Sequence, residues 1–414
     1  MRSRPWFSLL ALAVLTAAAL AALTAPLGGD YPGPPCATCD YPGPAIDALL
    51  HGRVHDFFAV QPVMGSFSLL LRAPFAGAAR LLGGGELWEY RAGALACLLF
   101  AAGLAWHLGR GMAAEGRNRF AQAAVAGLCV VSPLAFTALR WGHPEEVLGA
   151  ALCVGAVLLS ARGRPRTAGV ALGLALATKQ WAWLACLPVL MVAPGRRART
   201  LLVAVGVAAA LTLPMAMGDP GRFTHLIRAF GIAGTGLTPI NVWWGYGHLA
   251  GITVDPHGSH DAFSLPAILG AAAHPLVVVV ALGLTVACWL RRRPELDVSD
   301  VLGLLALLFL LRCLLDPLAY SYHHAPFLLA LAAHEGLRRR GLPLLTGVVS
   351  IAVWAMGRFV APMGDPNALN RAYLAWAVPL AAYLAYRTLS SRARSRPLFF
   401  ARRVPGTPDA LPAG

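Results

Sequence analysis

Thr167-Ala-Gly-Val-Ala-Leu-Gly-Leu-Ala-Leu-Ala-Thr-Lys-Gln-Trp-Ala-Trp-Leu-Ala-Cys-Leu-Pro-Val-Leu-Met-Val-Ala-Pro194 is an apolar run broken once, at Thr178-Lys179-Gln180. Lys179 is the only lysine of the chain, every other cationic side chain being arginine. A strong arginine bias would replace any lysine that arginine can imitate, so an ammonium kept inside an apolar run marks a functional position. Arg162, Arg164 and Arg166 precede the run and Arg196, Arg197 and Arg199 follow it. Both flanks read as cytoplasmic, so the segment enters the membrane and returns. Two full spans need about 40 residues plus a turn. The segment is too short for that, and its length predicts a broken hairpin of two short helices, its tip near mid-membrane carrying Lys179 and Gln180. Non-helical backbone at that depth is tolerated only where protein or a watery cavity surrounds it.

The rest of the chain agrees. It is 57% hydrophobic and 13% charged, with a mean hydropathy of +0.62. Runs of about 16–22 apolar residues recur, each long enough to cross a hydrocarbon core of about 30 Å as a helix. The expectation is an all-α, polytopic membrane protein of about twelve transmembrane helices, counting the hairpin as two. A net charge of +15 would suggest nucleic acid in a soluble chain. Here basic clusters alternate with apolar runs, as the positive-inside rule requires, and nucleic acid is not an expected partner.

Residues 1–27 read as the first span, with a cleavable signal peptide as the competing reading at Ala-Leu-Thr-Ala25. Residues 28–87 form an extracytoplasmic loop in which Ala45–Leu50 and Met64–Leu82 are short interfacial helices, the second kept out of the membrane by Arg72, Pro74 and Arg80. Residues 88–217 are a transmembrane bundle containing the hairpin 167–194; residues 218–274 form a second external loop, 275–386 a second bundle, and 387–414 a basic cytoplasmic tail. Both termini then lie in the cytoplasm. Six cysteines fall one to an apolar run and read as small buried hydrophobes, whereas Cys36-Ala-Thr-Cys39 sits in the first loop, as a disulfide or a reduced pair.

Polar residues that solvation does not explain gather towards the outer side. Asp40 is a candidate general base for an attacking hydroxyl, with Asp47 and Asp56 as rivals. The bland alternative is a turn aspartate, since Asp30-Tyr-Pro-Gly-Pro34 repeats as Asp40-Tyr-Pro-Gly-Pro44. Arg312 and Asp316, at i and i+4, read either as a local ion pair or as a clamp in which Arg312 holds an anion and Asp316 orients it. Tyr320-Ser-Tyr322-His323-His324 follows, suited to a phosphate or sugar or simply to the interfacial aromatic belt. His143-Pro-Glu-Glu146 is an external turn whose His143 and Glu146 are candidate substrate contacts; its proline breaks the spacing that a metal site needs. The chain shows no Walker A, no GxGxxG after a strand and no GxSxG elbow. No cofactor, nucleotide or metal is expected. External acids, buried cations and a broken helix suit either a transporter or an enzyme that takes its substrate from the lipid.

In pattern and order three stretches resemble the GT-C superfamily of polyprenol-phosphate-dependent glycosyltransferases, and within it glycosyltransferase family 87, the alpha-mannosyltransferase-like group. They are Asp40 ahead of Ala45-Ile-Asp-Ala-Leu-Leu-His-Gly52 and Gln61-Pro-Val-Met-Gly65; Ala168 through Thr178-Lys179-Gln180 to Leu187-Pro188; and Arg312 through Asp316-Pro317 to Tyr320-Ser-Tyr322 and Ala325-Pro326. The resemblance implies an inverting transfer of a sugar, mannose in this group, from a polyprenyl-phosphate donor to a lipid or glycan hydroxyl on the extracytoplasmic face. It implies a catalytic aspartate in the first external loop, best matched by Asp40, although Asp40-Tyr-Pro-Gly-Pro replaces the family's Asp-x-x-x-Tyr spacing and keeps Asp30, Asp47 and Asp56 in play. Lys179, Arg312, His323 and His324 become candidates for the donor phosphate, and Gln180, Asp316, Tyr320, Tyr322, His143 and Glu146 for the remainder of the substrate. A transporter or flippase of a lipid-linked sugar is the alternative.

Overall fold

The computed structural model describes residues 4–31, 42–60, 65–193, 195–224, 236–255, 258–292, 297–338 and 341–390. Among these, eight helical segments are long and apolar enough to cross a membrane. They are α1 (Arg4–Thr24), α5 (Glu86–Ala114), the broken pair α6 (Arg119–Val130) and α7 (Pro133–Trp141), α8 (Pro144–Ala161), α11 (Arg197–Gly218), α12 (Ala267–Arg292), α13 (Val298–Leu315), and α15 (Leu344–Ala355) with its continuation. The hairpin limbs α9 (Pro165–Leu176) and α10 (Cys186–Met191), the buried α14 (Ala325–Arg338) and the long α16 (Pro366–Ser390) complete a count consistent with the expected twelve.

Almost every residue of α8, α13 and α14 is buried, whereas α11, α12 and α15 turn Leu202, Val279 and Ile351 outward. Apolar side chains facing out along whole helices belong against lipid, and the all-round apolar helices belong at the centre. The first loop region adds α2 (Pro42–Leu50), α3 (Val54–Val60) and α4 (Ser66–Leu81). One departure from an all-helical chain is a small antiparallel sheet in the second loop, in the order β1 (Gly236–Leu237), β3 (Gly258–Ser264), β2 (His248–Asp255). The neighbouring stretch Thr238–Trp243 caps the end of α13. The Thr238 amide donates to Pro317 O (2.9 Å), the Val242 amide to Leu314 O (3.0 Å), the Trp243 indole to Leu315 O (2.7 Å), and the buried Asn241 amide to Pro317 O (2.8 Å). These bonds satisfy carbonyls that a helix end leaves without intrahelical partners.

The hairpin forms as its length requires. α9 runs antiparallel to α8 and stops where the Thr178 hydroxyl donates to Leu174 O (2.7 Å), a side-chain bond that competes with the helical ladder. Lys179 is extended, with φ −147° and ψ 138°, and a 3-10 turn over Gln180–Ala185 leads into α10. The 3-10 rise of about 2 Å per residue lets a short limb cover the return. Ser160 on α8 donates to Val189 O (2.9 Å), and Arg196 to Gly163 O (2.6 Å), so the two ends of the segment meet at the same end of the bundle.

The tip is held by α4. The Phe67 amide donates to Ala177 O (2.9 Å), and Gly65, at φ +86°, lies so close that a Cβ there would sit 2.5 Å from Ala177 O. Gly65→Ala therefore strains the backbone and pushes the tip away. The expected cost is about 1–3 kcal/mol, read as a lower thermal midpoint of the detergent-solubilised protein.

Candidate active site

The tip meets the first turn of α8. Lys179 Nζ lies 3.2 Å from Glu145 Oε1 and 3.6 Å from Glu146 Oε1. Trp181 follows on the same turn, its indole donating to Glu146 Oε1 (3.2 Å). The ring can approach α8 closely because position 149 is glycine; a Cβ there would be 3.1 Å from the ring.

A second layer closes on Glu145, which is fully buried. Arg72 of α4, also fully buried, brings Nη1 to 3.5 Å from Glu145 Oε2. His143 Nδ1 is 2.8 Å from Glu145 Oε1, and His143 Nε2 is 2.9 Å from Asp30 Oδ2. Asp30 is delivered by backbone packing: Gly28 lies against Gly142, which has φ +93°, while the Gly29 and Asp30 amides donate to Arg140 O (2.9 Å) and Trp141 O (3.0 Å). Burial by itself lowers the pKa of His143, but the carboxylates of Glu145 and Asp30 outweigh it and raise the pKa to about 9. Its charge therefore contributes stability that is complete below pH 6.5 and is lost as pH rises through about 9. The thermal midpoint is expected to fall across that window, by the equivalent of roughly 3 kcal/mol, and His143→Gln to flatten the fall.

Beyond the tip opens a cavity of about 290 Å³ lined by Glu146, Lys179, Gln180, Trp181, Trp183, Leu184, His274, Val277, Val278, Arg312 and Asp316. Arg312, in the last turn of α13, stacks over the Trp181 ring (5.3 Å to the centroid) and holds Nη1 3.8 Å from Glu146 Oε2. Both of those atoms are buried without a hydrogen-bond partner among the described residues. Uncompensated polar atoms in such a place are costly, and removing one member of a buried pair costs about 3–5 kcal/mol. A cation and a carboxylate left slightly apart at a cavity wall suit a ligand with both acceptor and donor groups, such as a sugar phosphate.

The expected Arg312–Asp316 pair does not form among the described residues. Asp316 is the C-cap of α13, and its amide still donates to Arg312 O (2.8 Å), but its carboxylate takes another partner. It faces His274 instead (3.7 Å), and although burial favours its neutral form, His274 and Arg312 hold its pKa below the usual value.

Other candidates sort by position. Asp40 and the Cys36–Cys39 pair lie outside the described residues. Asp47 pairs with Arg53 (2.6 Å) and Arg80 (2.9 Å), and Asp56 with Arg53 (3.2 Å), away from the cavity. Tyr322 stacks on His143 (4.5 Å) and Tyr320 on Tyr322 (5.6 Å), backing the buried cluster. His323 and His324 do not line the cavity. His324 is fully buried, with Nε2 3.0 Å from the Tyr373 hydroxyl and Nδ1 3.2 Å from Ser321 O, and burial lowers its pKa to about 4. His323 Nδ1 accepts from the Tyr320 amide (3.2 Å), and burial, then Arg312 and Lys179, depress its pKa. Both nitrogens of His324 and Nδ1 of His323 are thus engaged within the protein.

Arg72, Glu145, Trp181 and His274 were not among the expected site residues. The signal for Arg72 was present, an arginine within the apolar run Ser66–Leu71 to Ala73–Ala79, and it served there to exclude a span. Inside the protein the same charge is satisfied by Glu145 instead.

These features define a class: a multi-pass membrane protein whose short helical hairpin carries a buried charge cluster to the edge of a polar cavity. Residues 64–317 match glycosyltransferase family 87, and the chain belongs to that family. The match takes in Glu145, Glu146, Lys179, Arg312 and Asp316 and begins after Asp30 and Asp40. Among solved structures, the fold is similar to ArnT from Cupriavidus metallidurans bound to undecaprenyl phosphate, with a TM-score of 0.50, 14% identity, and coverage of 94% of this chain and 78% of that one. The apo state of ArnT from the same organism gives a TM-score of 0.48 at 16% identity, with the same coverage. No curated protein matches the sequence.

Proposed function

We propose that this family 87 glycosyltransferase moves a hexose, mannose, from a polyprenyl-phosphate donor to a hydroxyl of a lipid or glycan acceptor on the extracytoplasmic face, with both termini in the cytoplasm. One observation carries the reading. In a cavity within a membrane bundle, Lys179 and Arg312 flank Glu146, and the facing atoms of Arg312 and Glu146 have no hydrogen-bond partner. The undecaprenyl phosphate held by ArnT supports a lipid phosphate as the donor's leaving group.

In the proposed reaction the acceptor oxygen attacks the anomeric carbon from the face opposite the phosphate. The new C–O bond forms as the bond between carbon and phosphate oxygen breaks, and the electron pair stays on the phosphate. Arg312 and Lys179 stabilise that growing negative charge in a water-poor site, where fixed charges act most strongly. Glu146 orients both cations and accepts from a sugar hydroxyl. The acceptor proton passes to an aspartate of the first external loop, Asp40, while Asp30 holds His143 beneath the cluster. Trp183, on the cavity wall, offers a surface for the sugar ring or the first isoprene unit.

The flippase reading uses the same residues without bond cleavage. Purified protein supplied with polyprenyl-phosphate mannose and a panel of hydroxyl acceptors separates the two. Release of polyprenyl phosphate with matching mannosylation of an acceptor is the expected result. Transbilayer movement of intact donor without release would overturn it.

A further inference from the structure

At the opposite end of the hairpin lies a second cavity, of about 830 Å³, lined by Arg164, Pro165, Arg166, Thr167, Gly195, Arg196, Ala198 and Arg199. We infer that this arginine-walled cavity binds the phosphate of an anionic phospholipid, independently of the transfer site.

Three observations meet there. First, four arginines and no carboxylate form the wall, and among the described residues none of the four makes a salt bridge. Next door, Arg162 has its pKa lowered by burial and then by the like charges of Arg164 and Arg110. Charge is thus concentrated here without a carboxylate partner among the described residues. Second, α9 and α11 both begin at this cavity, and their N-caps, Arg164 and Arg196, supply no side-chain cap. The first-turn amides of Arg166, Thr167, Ala198 and Arg199 precede the first helical bonds, Ala168 to Arg164 O and Thr200 to Arg196 O (2.9 and 3.1 Å). Two helices therefore bring their positive ends to one arginine-lined space. Third, one turn further along, Val170, Leu201, Leu202 and Val205 are exposed and apolar. A phosphate at the cavity with acyl chains laid along this flank satisfies both surfaces, which a free phosphate would not. The positive-inside rule accounts for arginines at this end of the bundle but not for two uncapped helix starts around one cavity.

The test uses the full chain in detergent and measures lipid retention by native mass spectrometry with phosphatidylglycerol or phosphatidylcholine of identical chains. Preferential retention of phosphatidylglycerol is expected. Arg166→Gln with Arg199→Gln should weaken that retention roughly 10–30-fold, while exposed Arg291→Gln, outside the cavity, leaves it unchanged. The thermal midpoint of the double variant, held at the parent value, separates lost binding from lost folding. Equal retention of the two lipids, no loss in the double variant, or an equal loss in Arg291→Gln would overturn the assignment. Displacement of the lipid by millimolar glycerol phosphate would also overturn it, by identifying a site for free phosphate.

Discussion

Lys179→Met is expected to lower kcat/KM for sugar transfer by about 10²–10³, the loss associated with removing one preorganised charge from a developing anion. The ammonium is shared between Glu145 (3.2 Å) and Glu146 (3.6 Å) at the edge of the cavity. Without it, Glu146 competes with the leaving phosphate for Arg312, and one negative charge of the cluster has no counterpart. Lys179→Arg keeps the charge but replaces a compact ammonium with a planar fork that cannot occupy the same gap. Turnover should fall more than tenfold in that variant too, with kcat affected more than KM. Steady-state release of polyprenyl phosphate measures both, with the thermal midpoint as the control for folding. Normal turnover in Lys179→Arg would reduce Lys179 to a charge balance for the two glutamates.

The second large effect falls on the proposed base. Asp40→Asn is expected to lower the transfer rate by about 10²–10⁴, the range for loss of a general base, without changing the thermal midpoint. Asp30→Asn should behave differently. It breaks the contact with His143 Nε2 (2.9 Å) and removes part of what keeps that ring charged, so the midpoint at neutral pH should drop while transfer by the folded fraction survives. The reverse outcome, an inactive but stable Asp30→Asn beside a working Asp40→Asn, would move the base to Asp30. Measuring both variants across pH 6–9 gives a further distinction, because only Asp30→Asn should alter the pH at which His143 loses its proton.

The hairpin was legible from charge placement and length. Arginine flanks on both sides of a run too short for two spans leave few ways to arrange it, and α9 with its 3-10 return is one of them. Lys179 was legible as a lone lysine, and Arg312 as an arginine near a helix end. Glu145 was not, because the two adjacent glutamates of a turn are indistinguishable until the turn is packed. Only then does Glu145 face Arg72 and His143 while Glu146 faces Trp181 and Arg312. The surroundings of the histidine pair were likewise invisible: a sequence shows that two imidazoles are present, but not that His324 has both nitrogens engaged, by Tyr373 and Ser321, and His323 its Nδ1 by the Tyr320 amide.

Helical class, runs long enough to cross a membrane and a short broken hairpin were set by the sequence alone, because hydrocarbon imposes one-dimensional rules of length, apolarity and charge side on any chain that crosses it. The seat of the hairpin tip against α4 and α8 and the partner of each charge were decided only by tertiary structure. Those depend on close approaches between segments far apart in the chain: Gly65 against Ala177, Gly28 against Gly142, and the Trp181 ring over Gly149. A missing Cβ permits such contacts, but nothing along the chain says which distant backbone will fill the space.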